Sequence, residues 1–355
     1  MSLPENEPTP ATPRKTGRGS DWNPQNRFAK LHYAPDPGEP QGALRTQFFE
    51  DDTRSILSRN QSPDVGFDVS LNPYRGCEHG CSYCFARPTH EYLGWSAGLD
   101  FESRIMVKSK APELLREALA SEKWKPQTLT MSGVTDCYQP VERRLEITRA
   151  CLAVLAEFRN PVAIITKNHL VTRDIDHLSA LAAHGAAMVN VSVTTLDPAL
   201  AKVLEPRASP PSRRLAAIRE LTEAGIPVRA MVSPMIPGLN DHELSAIVAA
   251  AAEAGAVTAH FMPVRLPGAV APVFDAWLEE HFPGKKGMIL DRIRSLRGGK
   301  LNDPNFGSRM RGTGAYADTL RSMFYAALRK HRLDGPVPPL SSAAFSVPGG
   351  QMTLF

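Results

Sequence analysis

The sequence predicts an α/β protein in which six β/α units curl into a barrel, closed or partial. Two observations carry this. Short, nearly continuous apolar runs recur along the middle of the chain, as expected of parallel strands buried on both faces. Between them lie stretches whose apolar residues recur at helical spacing, and three of these end in a glycine just before the next run, Gly185, Gly225 and Gly255. Right-handed crossovers curl such a series into a barrel, whose reactive side is the C-terminal ends of the strands.

In order along the chain, residues 1–62 read as a largely irregular, mobile N-terminal extension, rich in Pro, Gly, charge and amide up to about residue 45. Gly17-Arg18-Gly19 and Arg27-Phe28 belong to that solvated tail, in preference to lying on the barrel or touching a polyanion. The barrel occupies residues 63–268. Its first strand carries Phe67, Val69 and Leu71, and the others are residues 128–131, 162–166, 187–193, 228–232 and 257–262. The helical stripes between them are Leu115, Ala118 and Leu119; Ile147, Cys151, Val154, Leu155 and Phe158; Ile175, Leu178 and Leu181; Leu215, Ile218 and Leu221; and Leu244, Ile247, Val248 and Ala251. Residues 273–282, 288–296 and 315–332 read as helices that close the barrel's open side, within a C-terminal helical segment at 269–333. Residues 334–355 form a flexible tail, rich in Pro, Ser and Gly up to its last five positions.

At 355 residues with 42% apolar content, the chain can build one large domain with appendages. Five cysteines, three of them crowded together, argue against a disulfide framework and for a reducing compartment. The N-terminus lacks an apolar core for secretion and no run is long enough to span a membrane, so a soluble, cytoplasmic protein with no membrane partner is expected. A formal charge of +4 permits an anionic partner without demanding one.

The most informative stretch follows the first strand. Cys77, Cys81 and Cys84 lie in a glycine-bearing loop with the spacing C-x3-C-x2-C, which can wrap three thiolates around one face of a metal centre. A cubane cluster held by four cysteines lacks its fourth ligand, since Cys137 lies more than fifty residues on. Zinc could recruit His79 or His90, but the second ligand pair usual in small zinc modules is missing. The third reading is a [4Fe–4S] cluster with three protein ligands and one iron open to substrate or cofactor. With Tyr83 just before the third cysteine, the loop resembles that of the radical S-adenosylmethionine (SAM) superfamily. The run NPYRGCEHGCSYCFARPTHEYLG at 72–94, with TDCYQPVE and LEPRASP, is similar to the spore photoproduct lyase-like branch and its bacterial relatives.

The resemblance spans about residues 65–265 and implies a partial (β/α)6 barrel of TIM type, a [4Fe–4S] cluster on Cys77, Cys81 and Cys84, and SAM at the strand ends. Beyond Tyr83, it implies that Ser132, Gly133 and Asp136 stand in for the glycine-rich turn that receives the SAM amino group, a departure from the common Gly-Gly-Glu. Asp136 and Glu142 suit a cap on the following helix equally well. Asn190 and Ser192, at period two in an apolar run, point together into the barrel and suit ribose or carboxylate contacts, or a hydrogen-bonded core. Arg207 matches the SAM carboxylate, with an ion pair to Glu205 as the alternative. Residues 234–241 would back the adenine, and Met262, in the sixth strand's edge, would offer backbone groups to the base. Lys167 has no assigned role. Cys137, with Tyr138 beside it, is a candidate hydrogen-atom donor, against a buried and inert Cys137; Cys151 belongs to the core.

The implied activity is reductive cleavage of SAM and abstraction of a hydrogen atom from a substrate, with a flavodoxin or ferredoxin as reductant and DNA or another nucleic acid as the favoured substrate. A small-molecule or protein substrate is the alternative within enzymes. A non-catalytic, metal-stabilised nucleic-acid-binding protein is the alternative outside them. Arg292, Arg294, Arg297, Lys300, Arg309 and Arg311 make the region after the barrel the most basic, able to grip phosphate or to form a solvated helix face. No aromatic stripe for stacking bases stands out there. The final Gln351, Leu354 and Phe355 resemble the Gln-x-x-Leu-Phe motif that binds the DNA sliding clamp.

Overall fold

The computed structural model describes residues 17–29 and 45–349. Its strands are β1 (Gln47–Glu50), β2 (Leu57–Arg59), β3 (Val69–Leu71), β4 (Tyr74–Arg75), β5 (Arg104–Val107), β6 (Leu129–Met131), β7 (Val162–Thr166), β8 (Ala187–Ser192), β9 (Val228–Met235) and β10 (Thr258–Pro263). The larger sheet runs β10-β9-β8-β7-β6-β3-β2. From β3 to β10 it is parallel and in chain order, the signature of successive right-handed β/α units. β10 and β2 stand at opposite ends of the pairing order, so the barrel is partial. β2 adds to the β3 edge antiparallel, and β1, β5 and β4 form a separate small sheet.

The strands obey the pattern that predicted them. Every residue of β8 is buried; Ala187, Val189 and Val191 join the core under the helices, while Met188, Asn190 and Ser192 alternate with them onto the inner face. The helices Ala111–Ala120, Ile147–Phe158, Ile175–Ala182, Pro211–Glu223 and Leu244–Glu253 bury the expected stripes, except that Ala118, Ile175 and Leu215 are only half-buried. Gly185, Gly225 and Gly255 have positive φ, as C-terminal caps require.

Two expectations about the periphery are corrected, for the N-terminal segment and for the tail. Residues 17–29 are laid on the barrel. Arg18 Nη1 donates to the Glu102 carbonyl (2.7 Å), Gly19 N–H to Glu102 Oε2 (2.9 Å), and Asn26 Nδ2 to the Glu91 and Trp95 carbonyls (both 2.9 Å). The C-terminal helices lie in two places. Val270–His281 and Lys286–Ser295 share an apolar cluster with Leu204, Ile236, Val264, Cys81 and Tyr83, over the C-terminal ends of the strands. The helix Ala315–Lys330 packs on Leu244–Glu253 and β10, with Phe324 4.7 Å from Phe261 between ring centres. Part of the tail is fixed too: the amides of Ser341 and Ser346 donate to the Gly185 and Phe158 carbonyls (2.9 and 3.0 Å). Gln351, Leu354 and Phe355 lie outside the described residues.

Candidate functional site

The cysteine loop leaves β3 at its C-terminal end and is pinned from four directions. Cys77 N–H donates to the Phe101 carbonyl (2.9 Å) and Ser82 N–H to the Leu204 carbonyl (3.2 Å). The buried Arg87 guanidinium places Nε and Nη2 on the Cys81 carbonyl (3.0 and 2.9 Å), Nη1 on the Gly98 carbonyl (2.9 Å), and pairs with Glu102 at 2.5 Å. Glu78 N–H donates to Gln139 Oε1 (2.9 Å), and the Glu78 carboxylate accepts from Val141 N–H (2.8 Å). At Gly80, with φ +68°, a Cβ would lie 2.5 Å from Glu102 Oε2, so the turn admits only glycine without displacing that carboxylate.

Cys77 and Cys81 are buried and Cys84 is partly so; all three are free thiols. Burial, then Glu205, pushes the Cys81 thiol well up, and burial with the neighbouring Cys77 raises Cys84; Lys167 opposes both shifts and Arg87 opposes the second. The three sulfurs therefore sit within one another's electrostatic reach, beside two cations that favour thiolates. Among the described residues, no three His, Cys, Asp or Glu side chains converge tightly enough for a single metal ion. Three soft donors on one short loop suit the corners of an iron–sulfur cluster. The two histidines of the zinc reading are otherwise engaged. His79 Nδ1 lies 3.3 Å from Asp136 Oδ2, and Asp136 and Cys77 lift the ring to about 10 against its burial. His90 is buried between Trp95 and Phe101 and is held down to about 4 by that burial.

The loop after β6 holds Ser132 (φ +80°), whose Oγ accepts from Cys137 N–H (2.8 Å), and Gly133 beside Ser70. Asp136 caps no helix. Its carboxylate accepts from Tyr138 N–H (2.9 Å), Thr166 Oγ1 (2.8 Å) and Lys167 N–H (2.8 Å) and faces His79, tying the end of β7 to the cysteine loop. Burial opposes its ionisation, but His79 and these donors hold it below the ordinary carboxylate value. Glu142 does cap: it accepts from Thr148 N–H (3.1 Å), in the first turn of Ile147–Phe158. Cys137 and Tyr138 are both fully buried; Cys137 packs in the main core and the Tyr138 hydroxyl donates to Asp174 (3.1 Å).

On the inner face, Asn190 Nδ2 donates to the Ile164 carbonyl (2.8 Å) and stands in register with Arg229; Ser192 is in register with Met231, which pairs with His260. The Glu205 alternative for Arg207 is corrected. Arg207 lies 3.2 Å from Glu78 and donates to Thr46 (3.3 Å), whereas Glu205 is paired with buried Arg214 at 2.5 Å. Glu205 also accepts from the hydroxyls of Tyr83 and of Thr194 (2.7 Å). Burial would raise it; Arg214, Lys167 and these hydroxyls outweigh burial and hold it at about 2. Lys167, without a role in the sequence, lies 3.9 Å from Glu205 and 5.9 Å from the centre of the Tyr83 ring. Met262 sits where the register between β10 and β9 shifts. Sequence reasoning missed Arg214 and Asn168. Arg214 carried a signal: it precedes Ala217, Ile218 and Leu221 at helical spacing, a charge on a buried stripe. Asn168 Nδ2 donates to the Tyr138 carbonyl (2.7 Å) and its Oδ1 accepts from Ser209 (3.1 Å), linkages between loops that leave no sequence pattern.

A family model described as the radical SAM superfamily matches residues 71–251, from the last residue of β3 into the helix behind β9. An uncharacterised protein of Mycobacterium tuberculosis is 34% identical over 295 residues, covering 81% of this chain and 82% of its own. One of Methanocaldococcus jannaschii is 31% identical over 187 residues, covering 52% of this chain and 66% of its own. Among solved structures, spore photoproduct lyase complexed with dinucleoside spore photoproduct is similar in fold, with a TM-score of 0.59, 15% identity, and coverage of 84% of this chain and 85% of that one. The family match spans half of the sequence and encloses the three-cysteine loop at the head of a partial barrel, and on that ground this chain belongs to the radical SAM superfamily of enzymes.

Proposed function

We propose that this enzyme holds a [4Fe–4S] cluster on Cys77, Cys81 and Cys84, binds SAM across the ends of the barrel strands, and abstracts a hydrogen atom from a nucleic acid, DNA first. Membership in the superfamily implies the cluster, SAM and a reductant; the residue assignments and the substrate are our reading. The observation that carries it is the set of three free thiols on one pinned loop, with Cys137 and Cys151 apart in the main core. When bound, the cluster supplies the electron that cleaves SAM to methionine and a carbon-centred radical, which takes hydrogen from the substrate.

The chain's own residues hold and shape the site. Tyr83, its hydroxyl fixed on Glu205, cannot swing away from the cysteines on either side of it. Asp136 braces the turn carrying Ser132 and Gly133, where the SAM amino group is received. Asn190 and Ser192 offer polar atoms for the ribose, Arg207 a partly exposed guanidinium for the carboxylate, and Met262 backbone groups for the base. The helices Val270–His281 and Lys286–Ser295 cover the strand ends and exclude water from that side. DNA is favoured by the fold shared with spore photoproduct lyase and by the basic segment after β10. A flavodoxin or ferredoxin is the reductant we assign. Free thiols at all five cysteines suit a reducing cytoplasm, and among the described residues no helix is long and apolar enough to cross a membrane. Gln351, Leu354 and Phe355 are assigned to the sliding clamp on their motif alone; deleting residues 351–355 should abolish a clamp pull-down, and an unchanged pull-down ends that assignment.

The test is anaerobic incubation with SAM and dithionite. The expected products are 5′-deoxyadenosine and, with deuterated DNA, deuterium in that nucleoside; 5′-deoxyadenosine that stays unlabelled with every DNA offered would refute the substrate. Cys137→Ala, in the same assay, tests the hydrogen-atom donor at Cys137, and Tyr138→Phe tests the one at Tyr138 beside it. Turnover lost with SAM cleavage retained supports the residue replaced, and full turnover dismisses it.

A further inference from the structure

The end of β10 brings one arginine to the cysteine loop without giving it an acidic partner. Arg265, two residues past β10, lies with its guanidinium carbon 5.2 Å from the centre of the Phe85 ring, and Phe85 directly follows Cys84. Its Nη1 touches only the weak acceptor Met310 Sδ (3.7 Å), and its Nε is buried with no hydrogen-bond partner among the described residues. The carboxylate closest in electrostatic effect, Asp64, is already engaged by Arg309 Nε and Nη2 (2.8 and 2.6 Å) and by Gly307 N–H (3.0 Å). Arg297, next in the cluster, is ringed by carbonyls: Pro263 (3.0 Å), Val264 (2.8 Å), Ser308 (3.3 Å) and Arg309 (2.6 Å). It forms no ion pair among the described residues. Three arginines thus share two carboxylates, Asp64 committed to Arg309 and Asp303 acting on Arg297, and neither is bonded to Arg265. Burial and then a neighbouring guanidinium, Arg309 for Arg265 and Arg265 for Arg297, depress both, the latter to about 10, against the opposing pull of Asp64 and Asp303.

The same patch exposes two large aromatic rings, Phe85 (42%) and Phe306 (60%), and each lies under a guanidinium, Phe306 with Arg309 at 4.6 Å. A planar cation over one exposed ring, in a patch that exposes a second, suits a ligand that alternates a monoanion with flat apolar faces, and a nucleic-acid strand is such a ligand. A duplex hides its base faces, so the fit is to a single strand or an extruded nucleotide. We propose that Arg265, Phe85 and Phe306 form the substrate grip at the barrel mouth, Arg265 taking one phosphodiester and the two rings each stacking a base of a single-stranded or flipped-out segment. This deepens the nucleic-acid reading above and rests on it.

The test uses the anaerobic holoenzyme and a short fluorescein-labelled single-stranded DNA, followed by anisotropy across a salt series. Arg265→Gln should weaken binding about tenfold and lower the salt slope by about 1, as loss of one phosphate contact requires. Phe306→Leu, a change at an exposed ring that leaves the core untouched, should weaken it by about fivefold or more with the slope unchanged. Arg321→Gln, on an exposed helix face, should change neither. Overturning results are wild-type affinity and slope in Arg265→Gln, an equal loss in Arg321→Gln, no binding by the wild type, or equal competition by an acidic peptide. SAM cleavage by the wild type without DNA is measured alongside. Its failure with binding intact counts against the radical chemistry alone, whereas cleavage without binding counts against the grip.

Discussion

At the scale of single residues, the pairing of Glu205 with Arg214 governs how firmly the ring of Tyr83 stands in the cysteine loop. Both charges are buried, so replacing one partner leaves the other uncompensated, at a cost of about 3–5 kcal/mol. Glu205→Gln should therefore lower the melting temperature by several degrees. The pH dependence follows from the direction of the shift. Glu205 is held at about 2 in the folded chain against an ordinary 4.5, so its stabilisation is complete above 4.5 and drains away as pH falls from 4.5 towards 2. Melting curves over that range should show the wild type losing this increment and Glu205→Gln lacking it; parallel curves would contradict the assignment. The three cysteines and Tyr83 were legible because loop spacing is written locally. The Tyr83–Glu205 contact was not, because 122 positions separate its partners and only the fold joins them. In sequence Glu205 offers itself only as the alternative partner for Arg207, its near neighbour, while the structure gives Arg207 to Glu78.

Among elements, the segment 17–29 departs most from its composition. Pro, Gly and charge read as solvated chain, yet backbone and side-chain bonds to the cysteine region hold it so closely that a Cβ on Gly19 would fall 1.5 Å from the Gly80 carbonyl oxygen. Gly19→Ala should lift the segment away, and trypsin should then cut at Arg18 and Arg27 at least about tenfold faster while the barrel keeps its far-ultraviolet circular dichroism. Unchanged cleavage would refute this contact. The six parallel strands were legible because burial on both faces writes a continuous apolar run. β1 is exposed along its whole length and β4 has two residues, so the small sheet left no such record.

For the whole molecule, the cysteine loop is held by bonds of Arg87, Glu102, Glu78 and Gln139 that involve none of the three thiols. Stripping iron by chelation should leave the circular dichroism intact and lower the melting temperature by no more than about 5 °C. Collapse of the helical signal would mean that the metal builds the fold. The six-unit barrel was legible from the order of strands, whereas its open form was legible only from the family resemblance. The placement of the C-terminal helices was not, since amphipathic stripes say that a face is buried and not what buries it. The central claim is that this loop carries a cluster which SAM engages. Its most direct measurement is the iron and sulfide content of anaerobic wild type and Cys81→Ala, with electron paramagnetic resonance of the reduced proteins before and after SAM. The account predicts about four irons and four sulfides per wild-type chain and a spectrum that changes on adding SAM, both lost in Cys81→Ala. Zinc in place of iron, or a cluster that survives the substitution and ignores SAM, would contradict it.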